Sequence, residues 1–290
     1  MTILRRFAAA AAILLTLAAG AQADSPPPAS VPAAAAPAEA VQVPNFWDLR
    51  ASIERPSPAD IGPIRFLTTD DFPPFAFRDR RGVLIGFDVD LAEAVCKILK
   101  VQCLMQTRPF DALGEGLSDG TGNAIIGGFD PEKVGASGLT ATQPYLKIPG
   151  RFVTSDPADF NPNTSQGGSV GVACGTAHQA FLARFFPHLP STCFATMGEA
   201  LAALQVGHLR AVFGDALGLA FWLNGTESGS CCRFAGGPYI DDRYFGTGLA
   251  IVVKQEDRTL KSALDYALRE IYRSGTYEEL YLRYFPIGLF

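Results

Sequence analysis

Residues 86–106 read Gly86-Phe87-Asp88-Val89-Asp90-Leu91-Ala92-Glu93-Ala94-Val95-Cys96-Lys97-Ile98-Leu99-Lys100-Val101-Gln102-Cys103-Leu104-Met105-Gln106. Leu91, Val95, Ile98 and Leu99 recur at helical spacing, which predicts an amphipathic helix with Asp88 as its candidate N-cap. Val101 to Gln106 then reads as a strand. Upstream, Ile64-Arg65-Phe66-Leu67 is a short apolar run of strand type. Downstream, Pro109 to Leu117 predicts a second helix with Phe110, Leu113 and Leu117 turned inward, and Ala124-Ile125-Ile126 a third strand. The order β-α-β-α-β implies a parallel sheet with helices on its faces.

The pattern then restarts. Ser169 to Ala173 is a strand, and Gly175-Thr176-Ala177 opens a helix running to Phe186. A strand around Cys193-Phe194-Ala195 follows, and Thr196 with Glu199 forms a capping box for the helix bearing Leu201 and Leu204. Ala211-Val212-Phe213 is a buried strand ending at Asp215. Two similar α/β units in tandem define a bilobal protein. Leu249 to Val253 predicts a strand that returns the chain to the first lobe. Leu260, Ala263, Leu264, Ala267, Leu268 and Ile271 keep a 3.6-residue period until Gly275. Thr276 with Glu279 is expected to cap a final helix bearing Leu280 and Tyr284. The expected organisation is thus a signal peptide at 1–23, an Ala/Pro-rich flexible linker at 24–44, lobe 1 at 45–150, lobe 2 at 151–240, and a return to lobe 1 with C-terminal helices at 241–290.

The N-terminus sets the compartment. Arg5 and Arg6 precede an apolar run of 11 residues, Phe7 to Leu17, and Ala21-Gln22-Ala23 supplies a cleavage signal. That is a secretory signal peptide, too short for a membrane span. A periplasmic location follows as an expectation. The roughly 245 remaining residues suffice for one large or two modest domains. With 48% hydrophobic and 18% charged residues the chain reads as globular. Its 24 Lys and Arg against 29 Asp and Glu leave no basic surplus, which argues against nucleic-acid binding.

All six cysteines lie in the exported part, where an even number points to disulfides. Cys96, near a helix end, and Cys103, in the next strand, are the best pair. Cys174, Cys193, Cys231 and Cys232 allow three connectivities. Adjacent cysteines rarely bond each other, so one each from Cys231 and Cys232 to Cys174 and Cys193 is the expectation. His178, His188 and His208 show no metal-ligand spacing, and surface positions are expected for them; no metal or cofactor is called for. Gly167-Gly168-Ser169-Val170-Gly171 matches the nucleophile-elbow pattern, but its serine starts a strand instead of ending one, so the match is read as chance.

Taken in order, several segments resemble the type II periplasmic solute-binding proteins of polar-amino-acid ABC importers, among them the histidine- and lysine/arginine/ornithine-binding proteins. They are Asp71-Phe72-Pro73-Pro74-Phe75, Gly86-Phe87-Asp88-Val89-Asp90-Leu91, Gly171-Val172-Ala173-Cys174-Gly175-Thr176, Gly214-Asp215, Phe245-Gly246-Thr247-Gly248, and Gly275-Thr276-Tyr277 with Tyr284-Phe285. The resemblance spans about Ile64 to Pro286. It implies an α/β fold of two lobes, each a mixed, mostly parallel sheet flanked by helices, joined by two hinge strands that close around a small solute. It also implies that Phe72 lies over the ligand side chain with Phe110 facing it. Gly175 and Thr176 would meet the ligand carboxylate and Asp215 the ammonium group, with Gly128 also among the ligand-binding residues. The family carries an arginine after the last strand of the first unit. Here Gly127 to Gly135 holds none, and Lys133 is the nearest cation, which cannot reproduce a bidentate fork.

Elementary electrostatics asks for the same arrangement. A zwitterion taken out of water needs both charges paired. A helix N-terminus after a strand suits a carboxylate, and an acid at a strand's C-terminal end points into the crevice where α/β sheets bind ligands. Each residue also has a plainer role: Phe72, Phe75 and Phe110 as core aromatics, Asp215 and Thr176 as helix caps, Asp71 and Asp130 as solvated loop acids, and Arg151 as a structural residue before a hinge strand. The expected function is a monomeric receptor that passes an amino acid or related solute to an ABC permease, without catalysis. The alternatives are a dehydratase on the same fold and an accessory protein that has lost amino-acid binding.

Overall fold

The structure, a computed structural model, describes residues 41–48, 50, 54–128, 138–165 and 167–290. A short turn of helix, α1 (Pro58–Ile61), leads into β1 (Ile64–Thr68). A small antiparallel meander follows, β2 (Asp71–Phe72), β3 (Ala76–Arg78) and β4 (Leu84–Ile85), then α2 (Phe87–Leu99), β5 (Cys103–Thr107), α3 (Leu113–Ser118) and β6 (Ala124–Ile125). After β7 (Leu139–Ala141) the chain enters a second sheet. This comprises β8 (Gly150–Thr154), β9 (Val170–Ala173), α4 (Ala177–Phe185), β10 (Ser191–Phe194), α5 (Met197–Gln205), β11 (Ala211–Asp215), α6 (Ala216–Asn224) and β12 (Arg233–Tyr239). Finally α7 (Asp242–Phe245), β13 (Val252–Lys254), α8 (Arg258–Arg273) and α9 (Thr276–Tyr284) complete the molecule.

The strand order is β5-β1-β6-β13-β7 in one sheet and β10-β9-β11-β8-β12 in the other. Each opens with three parallel strands, the second, first and third of its unit, followed by one strand that runs against them and an outer strand that runs with them. The repeated order is the structural counterpart of the repeated sequence pattern. The chain passes between sheets twice, after β7 and before β13. The two crossing segments pair with each other: Leu249 N–H donates to Leu146 O at 2.7 Å, and Tyr145 N–H to Leu249 O at 2.8 Å. Gly248 permits that approach, because a side chain there would stand 2.7 Å from Leu146 O at a φ of +111°.

The largest apolar core lies on one face of the first sheet, where α2 packs against α8 and α9. Leu260, Ala263, Leu264, Ala267, Leu268 and Ile271 of α8 are all buried, as their period requires. The other face holds Leu113 and Leu117 of α3 against Leu67, Ile125 and Val252. In the second sheet, Phe152, Phe181 and Phe213 fill one face, and Leu201, Leu204 and Val212 the other. Residues 41–47 extend the first core. Trp47 is buried on Tyr272 and Tyr277, Phe46 meets Phe290, and Val41 and Val43, assigned by composition to the linker, pack there too.

Several local expectations are corrected. The N-cap of α2 is Gly86, at a φ of +141°, and Asp88 lies one residue inside the helix with its side chain fully buried. A methyl group on Gly86 would collide with the Phe75 carbonyl, so the close crossing of the meander over this helix start selects glycine. The segment 109–117 begins as a 3-10 turn, Phe110–Ala112, which rotates Phe110 outward to 54% exposure. Gly275, at a φ of +80°, precedes α9 and no side chain caps it; the Thr276 hydroxyl instead meets Ser274 Oγ. The strand expected at Leu249 to Val253 is split into the isolated pairing at Leu249 and β13. Disulfides join Cys96 to Cys103, Cys174 to Cys193, and the adjacent Cys231 and Cys232 to each other. The crossed pairing expected for the last four is overturned by strand placement. Cys174 follows β9 and Cys193 lies on the neighbouring β10, with their Cα atoms 4.9 Å apart.

Candidate functional site

The loops that leave the C-terminal ends of the parallel strands carry the residues singled out by sequence. In the first lobe, the Phe72 ring stacks on Phe75 with centroids 4.7 Å apart. Phe72 also covers Gly128: a Cβ on Gly128 would stand 2.8 Å from the ring edge. Gly128 has a φ of +81°, so conformation and space both select glycine. Phe72 and Gly128 therefore form one surface after β1 and β6. Phe110 is exposed beside it in sequence order after β5, and Asp71 is exposed on β2. Lys133 and Asp130 lie outside the described residues.

In the second lobe, Thr176 is the N-cap of α4. Its hydroxyl accepts from Gln179 N–H at 3.2 Å and donates to Ala173 O at 2.8 Å, while Gly175 N–H donates to Gln179 Oε1 at 2.8 Å. Both the hydroxyl proton of Thr176 and the amide of Gly175 are thus engaged in holding the helix start. The amides left to meet an anion are those of Ala177 and His178, which precede the first intrahelical bond of α4, from Ala180 N–H to Thr176 O.

Asp215 ends β11 and caps α6, accepting from Gly218 N–H at 2.8 Å through one carboxylate oxygen. Burial raises its pKa; the Gly218 amide, His178 and the Leu217 amide each pull the other way. β9 and β11 are paired neighbours with Val170 opposite Ala211 and Gly171 opposite Val212. Carried forward, that register brings Asp215 level with Cys174, just before the α4 start. Asp215 and the start of α4 consequently follow the ends of neighbouring strands.

Sequence inspection assigned His178 to the surface, and the structure moves it into this group. Its ring stacks on Phe245 with centroids 4.8 Å apart and meets Phe213 edge-on at 5.8 Å. Burial lowers its pKa and the neighbouring Asp215 opposes the shift. The signal was present: His178, Phe181 and Leu182 share the i, i+3, i+4 face of α4, and both apolar members are buried. His188 and His208 are exposed. Arg151, on β8 opposite Gly214, holds its guanidinium 4.5 Å from the centre of the Phe234 ring and donates to Leu289 O at 3.1 Å. Ser169 bonds to Pro190 O and Thr192 Oγ1 and immediately precedes β9 instead of following a strand, so no nucleophile elbow exists there. Among the described residues no cluster of His, Cys, Asp or Glu has metal-binding geometry.

Two α/β units of like strand order joined by paired crossing segments define a two-lobed α/β fold. Residues 64–287 match the model of the bacterial extracellular solute-binding proteins, family 3, and the chain belongs to that family. It is 32% identical over 222 residues to the putative ABC transporter arginine-binding protein 2 of Escherichia coli, covering 77% of this chain and 90% of that protein. Solved structures share the fold. The unliganded open L-cystine solute receptor of Neisseria gonorrhoeae superposes with a TM-score of 0.68 at 16% identity, over 79% of this chain and 95% of that one. An ancestral cyclohexadienyl dehydratase does so at 0.64 and 19%, over 78% and 93%.

Proposed function

We propose that this chain is the periplasmic receptor of an ABC importer, binding one α-amino acid between its lobes and closing around it. The carrying observation is the adjacency of Asp215 and the first-turn amides of α4 at neighbouring strand ends. One end neutralises an ammonium group and the other a carboxylate. The Phe72 surface with Gly128 supplies an aromatic wall from the first lobe, and Phe110, exposed after β5, faces the ligand side chain on closure. Domain organisation follows: lobe 1 from 45–150 with the return at 241–290, and lobe 2 from 151–240. The protein works as a monomer, without cofactor and without chemistry on its ligand. Kinship with an arginine-binding protein makes L-arginine the first ligand to test.

Closure needs no energy source beyond the ligand. A solute that touches both lobes only in the closed form shifts the population toward that form by its differential affinity. Asp215, whose pKa burial raises, stands beside the partly buried imidazole of His178, whose pKa burial lowers, and that acid–imidazole pair is the observation favouring a dehydratase as the second reading. Thermal melting of the secreted protein against the twenty amino acids, opines, prephenate and arogenate separates the two. A ligand present at about 100 times its Kd adds about 2.7 kcal/mol to stability. A melting shift with an amino acid, abolished by Asp215→Ala, supports the receptor. Turnover of prephenate or arogenate supports the enzyme and refutes it.

A further inference from the structure

The three disulfides differ in where they lie. Cys96 is buried and Cys103 half-buried beneath α2 in the first core. Cys232 is buried and Cys231 half-buried in the second lobe. Cys174 and Cys193 are both exposed. Their bridge ties the end of β9 to β10, the outer strand of its sheet, and Cys174 N–H donates to Phe194 O at 2.9 Å just beside it. Cys174 is followed directly by Gly175 and Thr176, the turn that opens α4. Gly175 has a φ of +71° and no atom within 4 Å of where a Cβ would be, and the ties the turn makes are the bridge, the Thr176 cap and the Gly175 N–H bond to Gln179 Oε1.

We propose that Cys174–Cys193 is a thiol–disulfide exchange site for a dithiol reductant, and that opening it loosens the turn that presents the α4 amides. A dithiol thiolate attacks one sulfur of the bridge and forms a mixed disulfide; its second thiol displaces the remaining protein sulfur. The dithiol leaves as a disulfide. The protein gains two electrons and two protons and carries Cys174 and Cys193 as free thiols. The β9–β10 ladder from Val170 to Ala173 stays in place, so the change is confined to the turn. The ligand consequence rests on the receptor function proposed above. The chemical selectivity of the bridge does not.

The full secreted protein is treated with rising dithiothreitol at neutral pH, quenched with iodoacetamide and peptide-mapped. Cys174 and Cys193 are expected to be alkylated at dithiol levels that leave the other four cysteines protected. Labelling of Cys96, Cys103, Cys231 or Cys232 first, or at the same dose, overturns the proposal. In parallel, L-arginine is titrated into the oxidised protein, the selectively reduced protein and the Cys174→Ser/Cys193→Ser variant, each checked for an intact melting transition. The last two are expected to bind about fivefold more weakly, and the variant to be indifferent to dithiothreitol. Equal affinities overturn the coupling. If L-arginine binds none of the forms, hydrogen exchange of the amides from Gly175 to His178 decides. Faster exchange on reduction upholds the loosened turn, and unchanged exchange overturns it.

Discussion

Replacing Asp88 by Asn should change how stability depends on pH. Asp88 sits inside the first turn of α2 with no exposed surface, and the polar side chain set against it is Tyr145, itself fully buried. Burial raises the Asp88 pKa to about 7, with the Tyr145 hydroxyl offsetting part of that rise. Between pH 4 and pH 7 the folded protein therefore holds a proton that the unfolded chain releases. Stability contributed by the protonated group is fully present below about 3.8 and is lost as pH climbs through about 7. At about 1.4 kcal/mol per pH unit, the loss across that window is about 4 kcal/mol. Asn resembles the protonated acid in size and polarity and does not titrate. In urea denaturation from pH 4 to pH 9, the wild type should decline relative to Asp88→Asn by an amount of that order, levelling off above pH 8. A difference between the two proteins that stays flat across the range would refute the assignment of a shifted carboxyl at this position.

Three further outcomes follow from local geometry. Gly86→Ala drives a methyl into the Phe75 carbonyl at a backbone angle alanine resists, and should cost about 3 kcal/mol or more in urea denaturation; a loss below about 1 kcal/mol would contradict the close crossing. Cys96→Ser/Cys103→Ser opens a short loop and should cost about 2.5 kcal/mol under oxidising conditions, with no change in a matched measurement on reduced protein. Thr176→Val removes the cap of α4 while keeping its shape. About 1 kcal/mol of stability should go with it, and amino-acid binding should weaken, read by calorimetry.

Much of the scaffold could be read from residue patterning, because the determinants are local. The α8 stripe from Leu260 to Ile271, the Thr196 box and the end of β11 at Asp215 each follow from periodicity or a cap within a few residues. What escaped depends on groups distant in sequence. Asp88 looks like a cap until the meander around Phe75 closes over it and places Gly86 there instead. His178 looks like a surface histidine until Phe245, 67 positions later, supplies a ring for it to stack on. The pairing of Cys174 with Cys193 needs the knowledge that β9 and β10 are neighbours, and the adjacent Cys231–Cys232 bridge runs against the usual avoidance. Phe110 turned outward because its segment begins as a tighter helix than its apolar spacing implies.

Isothermal titration of L-arginine and the other amino acids into the protein, with Asp215→Ala beside it, puts the receptor function to its sharpest test. One amino acid should bind wild type saturably at one site. The variant should lose affinity by about a hundredfold, the scale for removing one partner of a desolvated charge pair. Heat-silent titrations with every amino acid, or a ligand whose affinity ignores the loss of Asp215, would contradict it.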